Sequence, residues 1–469
     1  MSKTQPSQPF TAILIGGSIS GLILAHMFSR AKINFILLEA RDTISPQLGA
    51  GITIQANGSR ILDQMGLLGP MEHFLTPMGR QWRRKSNGEV VKCMEWPVGI
   101  EGRLGYSIGI AERRMLLRSL YEQLEDKSKI LVNKKVLSFD HGEDEVSVRC
   151  EDGSMYVGDL VVGVDGVHSR TRREMQRIAE EASPGLMVGD MNKVSAEYNA
   201  IFGISAASPH LIPGESHISS DIDKSSLMFV SKHGLPQWFF FTKLDKRYYG
   251  DEIPRYTKEQ MEKQAEENGD FCVTGNMTLR ELMRETTSLS YLSLEEANHE
   301  HWSWGRIVCV GDSIHKMTPN MGQGGNQAIE SAATLTNTLH TLLTANPHPT
   351  TSQLSAALKK YQDLRTQRSK LFVKLSGVVT RDDALANLRN VLRFLYVPPL
   401  EQEKFLDIQT QLYATGPYLE FLPQPERIVG NRSWGLDEEG GFLEKNEKTR
   451  ARHVIQTDGK ALLITNARF

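Results

Sequence analysis

Apolar residues fall in short unbroken runs early in the chain and in helical stripes later. Residues 11–17 (TAILIGG) form an apolar run closed by glycines, as expected of a strand buried on both faces of a parallel sheet. Over 18–30 the spacing changes, and Ile19, Leu22, Ile23 and Met27 share one helical face. Residues 33–39 (INFILLE) return to a continuous apolar run. Strand, helix and strand in so short a span predict a βαβ unit. Amphipathic helices are expected over 57–68 and 112–124. Short runs between 129 and 163 (KILVNKKV, EVSVRC, SMYVGDLVVG) predict a meander that returns to the parallel sheet. Residues 194–245 are strand-like, with VSAEYNAIFGIS, QWFFFTKL and turns at 213–214 and 233–236, and read as a separate β-rich layer. A further buried strand is expected at 306–311 (RIVCVG), then a glycine-rich loop and a helix to about residue 343. Residues 351–375 carry Leu354, Leu358, Tyr361, Leu364, Leu371, Phe372 and Leu375 near helical period, and another helix is expected over 385–395. Beyond Trp434 the chain is charged and glycine-containing, and reads as a solvated tail.

Composition narrows the possible partners. Among 469 residues, 54 basic and 56 acidic side chains give a formal net charge of −2, so no electrostatic argument favours nucleic acid or an anionic membrane. The four cysteines are scattered without Cys-x-x-Cys spacing, so neither a metal site nor a disulfide framework is expected. No window reaches the 18 or so apolar residues of a membrane span, and the first ten residues lack a secretory apolar stretch. An intracellular, soluble protein is the expectation, with peripheral membrane contact through an apolar patch left open.

Candidate chemistry begins where the first strand ends. Gly16-Gly17-Ser18-Ile19-Ser20-Gly21 follows the pattern G-x-G-x-x-G with Ser18 in the middle position. Gly16 permits the tight turn, the small Ser18 permits backbone approach to a pyrophosphate, and Gly21 permits close helix–strand packing. The helix N-terminus would then receive the pyrophosphate. Glu39 ends the second strand, where a carboxylate can bond both ribose hydroxyls. An acid there disfavours a 2′-phosphate, so this site is not expected to hold NADP.

Two further motifs follow, Gly163-Val164-Asp165-Gly166-Val167-His168-Ser169 and Gly305-Arg306-Ile307-Val308-Cys309-Val310-Gly311-Asp312-Ser313. In this order and spacing the three resemble the flavoprotein aromatic hydroxylase and epoxidase class. The segments IGGSISGLILAH, VVGVDGVHSRTRRE, IFGIS and GDSIHKMTPNMGQGGNQAIE resemble more closely the paxilline-type FAD monooxygenases of fungal secondary metabolism. The resemblance implies an α/β fold: a Rossmann-like FAD-binding domain with an inserted β-sheet substrate domain and a C-terminal helical region. The corresponding divisions are 1–185 and 299–350 for the FAD-binding parts, 186–298 for the β-rich substrate domain, 351–435 for the helical region and 436–469 for the charged tail. It implies that Asp312 bonds the ribityl chain and that the loop carrying Pro319, Gly322, Gly324, Gly325 and Asn326 lies beside the flavin ring. It further implies that Asp165 and Gly166 lie near the pyrophosphate and serve nicotinamide binding, that Arg113 lies near the cofactor, and that Gly49, Ala50 and Gly51 pass the flavin and ribose.

Such enzymes use non-covalent FAD, a transient NADPH or NADH, and dioxygen, and place one oxygen atom on an alkene or aromatic ring. Only one dinucleotide motif is visible, so the nicotinamide is expected to bind transiently. The closer resemblance implies epoxidation of a prenyl chain on a small apolar terpenoid or meroterpenoid before cyclisation. Aromatic ring hydroxylation and a non-catalytic flavin-fold binding module are the alternatives. No nucleophile–base pair appears, in keeping with chemistry carried by a cofactor, and His315 is the one weak catalytic candidate. Phe202, Trp238, Phe239 and Phe240 are candidate walls of the substrate pocket, although alternation allows at most half of residues 238–241 on one face. The relatives commonly carry Glu-aromatic-Arg where this chain has Glu197-Tyr198-Asn199. An asparagine in place of that arginine is taken to fit an apolar pocket.

Overall fold

The computed structural model describes residues 9–46, 51–397, 400–425 and Trp434. The expected βαβ unit is present as Thr11–Ile15, Ile19–Arg30 and Asn34–Leu38, with the two strands parallel and Ile13 level with Ile36. These strands are almost continuously apolar because the sheet is covered on both faces, with the meander against Ile13 on one of them, and their side chains are largely buried. Leu160–Gly163 lies parallel to Thr11–Ile15 on the other side, followed by Ile307–Cys309, so the dinucleotide motif and the Gly311-Asp312 turn leave the carboxyl ends of parallel strands in a single six-stranded sheet. The meander takes the form of three antiparallel strands, Val136–His141, Val146–Cys150 and Met155–Gly158.

The second layer is an eight-stranded sheet. Its centre is Ser195–Ser205 between Leu235–Tyr249 and Thr286–Asn298, and it continues through Lys224–Ser231 and Glu215–Asp221. The hairpin Arg80–Lys85 and Val90–Met94 completes the far edge, pairing parallel with Glu215–Asp221. One face of this sheet joins the main core. The other is sealed by the helices Lys258–Glu267 and Leu279–Arg284 over a separate cluster of Ile201, Met228, Trp238, Phe240, Phe271 and Leu279.

Helix lengths depart from the sequence periodicity in two places. The expected helix 57–68 is shorter: Ala56–Gln64 stops before Gly66, whose positive φ breaks it, and a short turn Leu68–Met71 follows. The long C-terminal helix runs Thr351–Asp383, eight residues beyond the expected end. Ser376, Gly377 and the β-branched residues after them weaken the local helical signal. Packing overrides it, because the small Gly377 lets the helix approach Glu296 of the sheet. The helices Leu388–Tyr396 and Gln402–Ala414 close the same side of the molecule. No helix among the described residues is long and apolar enough to cross a membrane.

Candidate functional site

At the nucleotide end the chain turns at Gly16, whose N–H donates to the Leu38 carbonyl at 2.8 Å. Gly21 lies in the first turn of the following helix, directly against that turn. A Cβ on Gly21 would stand 1.9 Å from the Gly16 carbonyl oxygen, so only glycine lets strand and helix come this close. Ser18 is the N-cap residue but does not cap the helix, and its hydroxyl accepts a hydrogen bond from Arg113 Nη2 at 2.7 Å. The first-turn N–H groups therefore lack a side-chain partner and suit an anion. Glu39 is buried beside them. Its carboxylate accepts from Gly17 N at 2.6 Å and from Arg41 N at 2.9 Å, which fixes it at the strand end.

The other end of the candidate site is built from three loops. Gly311 and Asp312 form a tight turn after Ile307–Cys309, with Asp312 Oδ2 2.5 Å from Lys316 Nζ. Arg113 is half-buried between the two ends: desolvation lowers its pKa, and Asp312 is the strongest charge acting in the opposite direction. Pro319 opens the next turn, and Gly322 closes it with φ +63°. A Cβ on Gly322 would lie 2.2 Å from Thr53 Oγ1, so the loop presses against the strand Gly51–Ile54. Asn326 stitches the two together. Its Oδ1 accepts from Gln55 N at 3.0 Å, and its Nδ2 donates to the carbonyls of Thr53 and Gly322 at 3.0 and 2.9 Å. Gly325 packs on Ile52, whereas the space beside Gly324, the first residue of the helix Gly324–Ala345, is open. That helix also has no side-chain cap. Gly51 begins its strand against the buried Gln237, and Gly49 and Ala50 lie outside the described residues. Both uncapped helix ends and the cradle between them fit FAD.

Asp165 does something the motif alone does not reveal. Its carboxylate accepts from the Ser169 hydroxyl at 2.5 Å and from Thr171 N and Oγ1 at 2.9 and 3.1 Å, tying down the start of the helix Arg170–Ala182. Gly166 follows with φ +81° and open space on its Cα.

Next to the 319–326 loop lies a cavity of about 1340 Å³, including its open mouth. Its apolar walls are Met78, Met94, Trp96, Ile218, Leu227, Phe229 and Phe405, and its polar positions include Gln81, Arg83, Asn320, Asp382, Asn390, Arg393 and Tyr413. The inner face of the eight-stranded sheet, the glycine loop and the three C-terminal helices meet here.

A family model described as an FAD binding domain matches residues 10–376. The chain is 40% identical over 424 residues to the FAD-dependent monooxygenase spyC of Aspergillus fumigatus, covering 89% of each chain. The chain belongs to the FAD binding domain family, and it is an FAD-dependent monooxygenase. An FAD-dependent monooxygenase of Penicillium polonicum is 37% identical over 423 residues, and the present chain spans 52% of its length. Among solved structures, Klebsiella pneumoniae HpxO complexed with FAD and uric acid superposes with a TM-score of 0.72 at 20% identity, covering 87% of this chain and 97% of that one. The resemblance to fungal flavin monooxygenases, the α/β fold class and the FAD cofactor are thereby borne out.

Several sequence expectations about the monooxygenase's pocket need correction. Trp238 and Phe240 do not face the cavity. They are fully buried on the opposite face of the sheet, where Trp238 Nε1 donates to Ser205 Oγ at 2.8 Å and Phe240 meets Phe271 edge-on. Phe202 and Phe239 do share the cavity face, paired with each other across the strands, but they pack into the main core outside the cavity lining. The lining aromatics are instead Trp96, Phe229, Phe394, Phe405 and Tyr413. Asn199 also lies on the outer face, where its amide donates to the hydroxyls of Tyr291 at 2.9 Å and Tyr256 at 3.3 Å. Its identity therefore carries no information about cavity polarity.

His315 lies in the core, away from the lining of the cavity. It is buried against Trp302, with Nε2 2.8 Å from Ser331 Oγ. Burial, reinforced by the Arg365 charge, lowers its pKa to about 4. It is thus neutral throughout ordinary assay conditions. Replacement by glutamine is expected to leave the pH dependence of kcat/KM above about pH 5 unaltered. A pH–rate profile in which the variant loses an ionisation would restore His315 to the catalytic set.

Sequence reasoning missed the network that reaches Gln323 of the 319–326 loop. Glu330, fully buried, accepts from Arg365 Nη1 at 2.7 Å, Arg368 Nε at 2.6 Å and Asn57 Nδ2 at 2.6 Å. Asn57 reaches Gln323, which in turn bonds Gln55. A signal for it exists in the sequence. Arg365 and Arg368 continue the spacing of Leu358 and Tyr361 into Phe372 and Leu375, so two cations sit in an apolar stripe.

Proposed function

We propose that this monooxygenase uses a nicotinamide and dioxygen to epoxidise an isoprenoid double bond of a small apolar substrate held in the cavity beside residues 319–326. Bound FAD supplies the redox chemistry, accepting electrons from the nicotinamide and activating dioxygen. In this reading Glu39 and the Gly16–Gly21 turn hold the adenosine diphosphate half, and Asp312 with Arg113 holds the ribityl–phosphate region. The N–H groups at Gly324 and Gly325 stabilise negative charge on the ring, as helix N-termini do. The apolar wall excludes water from the reacting face.

The observation that carries the reading is the chemistry of the cavity wall. No histidine is among its described lining residues. Burial pushes the Tyr413 phenol up, and the Asp382 carboxylate is engaged by Arg393 and Asn390. An alkene needs no deprotonation and suits a wall without an available base, whereas a phenol gains from one. Ring hydroxylation is the second reading, favoured by the Arg83 guanidinium in the same wall, which would steady a phenolate. The test is turnover with NADPH or NADH under labelled dioxygen, offering prenylated polycyclic substrates and simple phenols. One labelled oxygen on the prenyl chain is the expected product. Coupled insertion into a phenol ring, with prenyl chains untouched, would transfer the assignment to hydroxylation.

A further inference from the structure

We propose that Arg83 selects substrates by bonding an oxygen acceptor, so that the apolar chain to be oxidised arrives attached to a carbonyl-, enol- or phenol-bearing head group. This rests on the reading of the cavity as the substrate site.

Arg83 stands at the end of an apolar row. Across the strands it is level with Lys92 of the edge strand on one side, and on the other with Ile218, then Leu227, Phe239 and Phe202, which belong to or pack against the main core. An arginine there is out of pattern, and its side chain is 26% exposed, into the cavity. Nη2 is held 3.2 Å from Asp383 Oδ1, and the Asp383 carboxylate is almost completely buried. The other Asp383 oxygen accepts from Asn320 Nδ2 at 3.1 Å, and Asn320 Oδ1 accepts from Thr380 Oγ1 at 2.8 Å. The guanidinium is thus pinned next to the glycine loop through one of its nitrogens. A guanidinium carries five N–H donors, and no other partner for Arg83 exists among the described residues. Two residues earlier, Gln81 Oε1 accepts from Trp96 Nε1 at 3.2 Å, which fixes the amide and leaves its NH₂ group as a second donor lining the cavity.

A purely structural role explains this poorly. A buried ion pair seldom outperforms well-packed apolar side chains of similar volume. An ion pair whose only task was to join sheet and helix would not leave most of its donors facing a cavity. Arg393 offers a contrast, since its partner Asp382 is shared with Asn390.

The experiment is ligand binding to the FAD-loaded protein, read as a perturbation of flavin absorbance, with ortho-farnesylphenol and farnesylbenzene as the probe pair. The wild-type protein is expected to bind the phenol at least about tenfold more tightly, the scale of a hydrogen bond to a charged donor. Arg83→Gln should bring the ratio near one by weakening the phenol alone, and Arg83→Lys should retain part of the preference. The double variant Arg83→Gln with Asp383→Asn leaves no unpaired buried charge, and should reproduce the single variant's selectivity even where the single variant folds poorly. A wild-type protein that does not discriminate, or variants that weaken both ligands equally, would overturn the proposal. The position of the inserted oxygen is a separate readout. Ring oxygenation with the Arg83 dependence intact removes only the epoxidase reading. Epoxide formation without that dependence removes only the role of Arg83.

Discussion

Replacing Glu330 by leucine is expected to lower the stability of the FAD-loaded protein by about 3–5 kcal/mol, the usual consequence of leaving a buried charge without its partner. The carboxylate is fully buried, and Arg365 beside it is almost equally so. Leucine fills much of the space, so the loss reports the uncompensated guanidinium groups rather than a cavity. Removing the cations as well, with Arg365→Met and Arg368→Met, is expected to recover a large part of the loss. Chemical denaturation of the two variants measures both effects. A single variant within 1 kcal/mol or so of wild type would mean that water relieves the arginines, since surface-like substitutions cost about that little. The pH dependence has a definite sign. Burial alone would raise the Glu330 pKa, but Arg368 and Arg365 outweigh it and hold it at about 2, against 4.5 for a free glutamate. A depressed folded-state pKa contributes stability above the unfolded value and loses it as pH falls through the folded one. The wild-type protein should therefore lose this contribution between pH 4.5 and about 2, and the leucine variant should lack that component.

Gly21→Ala is expected to yield protein that is largely colourless. The added methyl would lie 1.9 Å from the Gly16 carbonyl oxygen; its position is fixed by the helix backbone, and the atom it meets is backbone too. No rotamer change relieves it, so helix and strand must separate, at an overpacking cost of about 1–3 kcal/mol. The separation displaces the first-turn N–H groups, which in the proposed reading hold the pyrophosphate. Glu39→Ala tests the adjacent group without a clash. It removes the acceptor for Gly17 N and Arg41 N together with the ribose partner, and FAD affinity should fall about tenfold or more, as for hydrogen bonds to a charged group. Flavin absorbance after desalting, alongside far-UV circular dichroism, separates lost cofactor from lost fold. A Gly21→Ala protein that stays folded and fully yellow would show that the turn is more plastic than its geometry implies.

The nucleotide half of the site was legible because its requirements are local. A strand buried on both faces must be continuously apolar. A turn with no room for a Cβ must be glycine, and a carboxylate that ends the next strand has one place to go. Asp165 shows the limit even there, since the motif located the turn but not the Ser169 and Thr171 bonds that occupy its carboxylate. The C-terminal helix shows the opposite case, where Gly377 weakens the local pattern and close packing on Glu296 carries the helix onward.

The cavity is a product of tertiary structure. Its walls come from segments near residues 81–96, 218–229, 320–322 and 379–413, and no short-range pattern joins them. Alternation along Leu235–Tyr249 places Trp238 and Phe239 on opposite faces, but period two does not say which face is which. That was decided when Lys258–Glu267 and Leu279–Arg284 covered one side and claimed Trp238 and Phe240 for a second core. The same ambiguity misled the reading of Asn199, which lies on the covered side with Tyr256 and Tyr291. In the basic strand Arg80–Lys85, Gln81 and Arg83 line the cavity because the helices after residue 350 fold back over them, and only that closure turns Arg83 from a solvated cation into a donor facing the cavity.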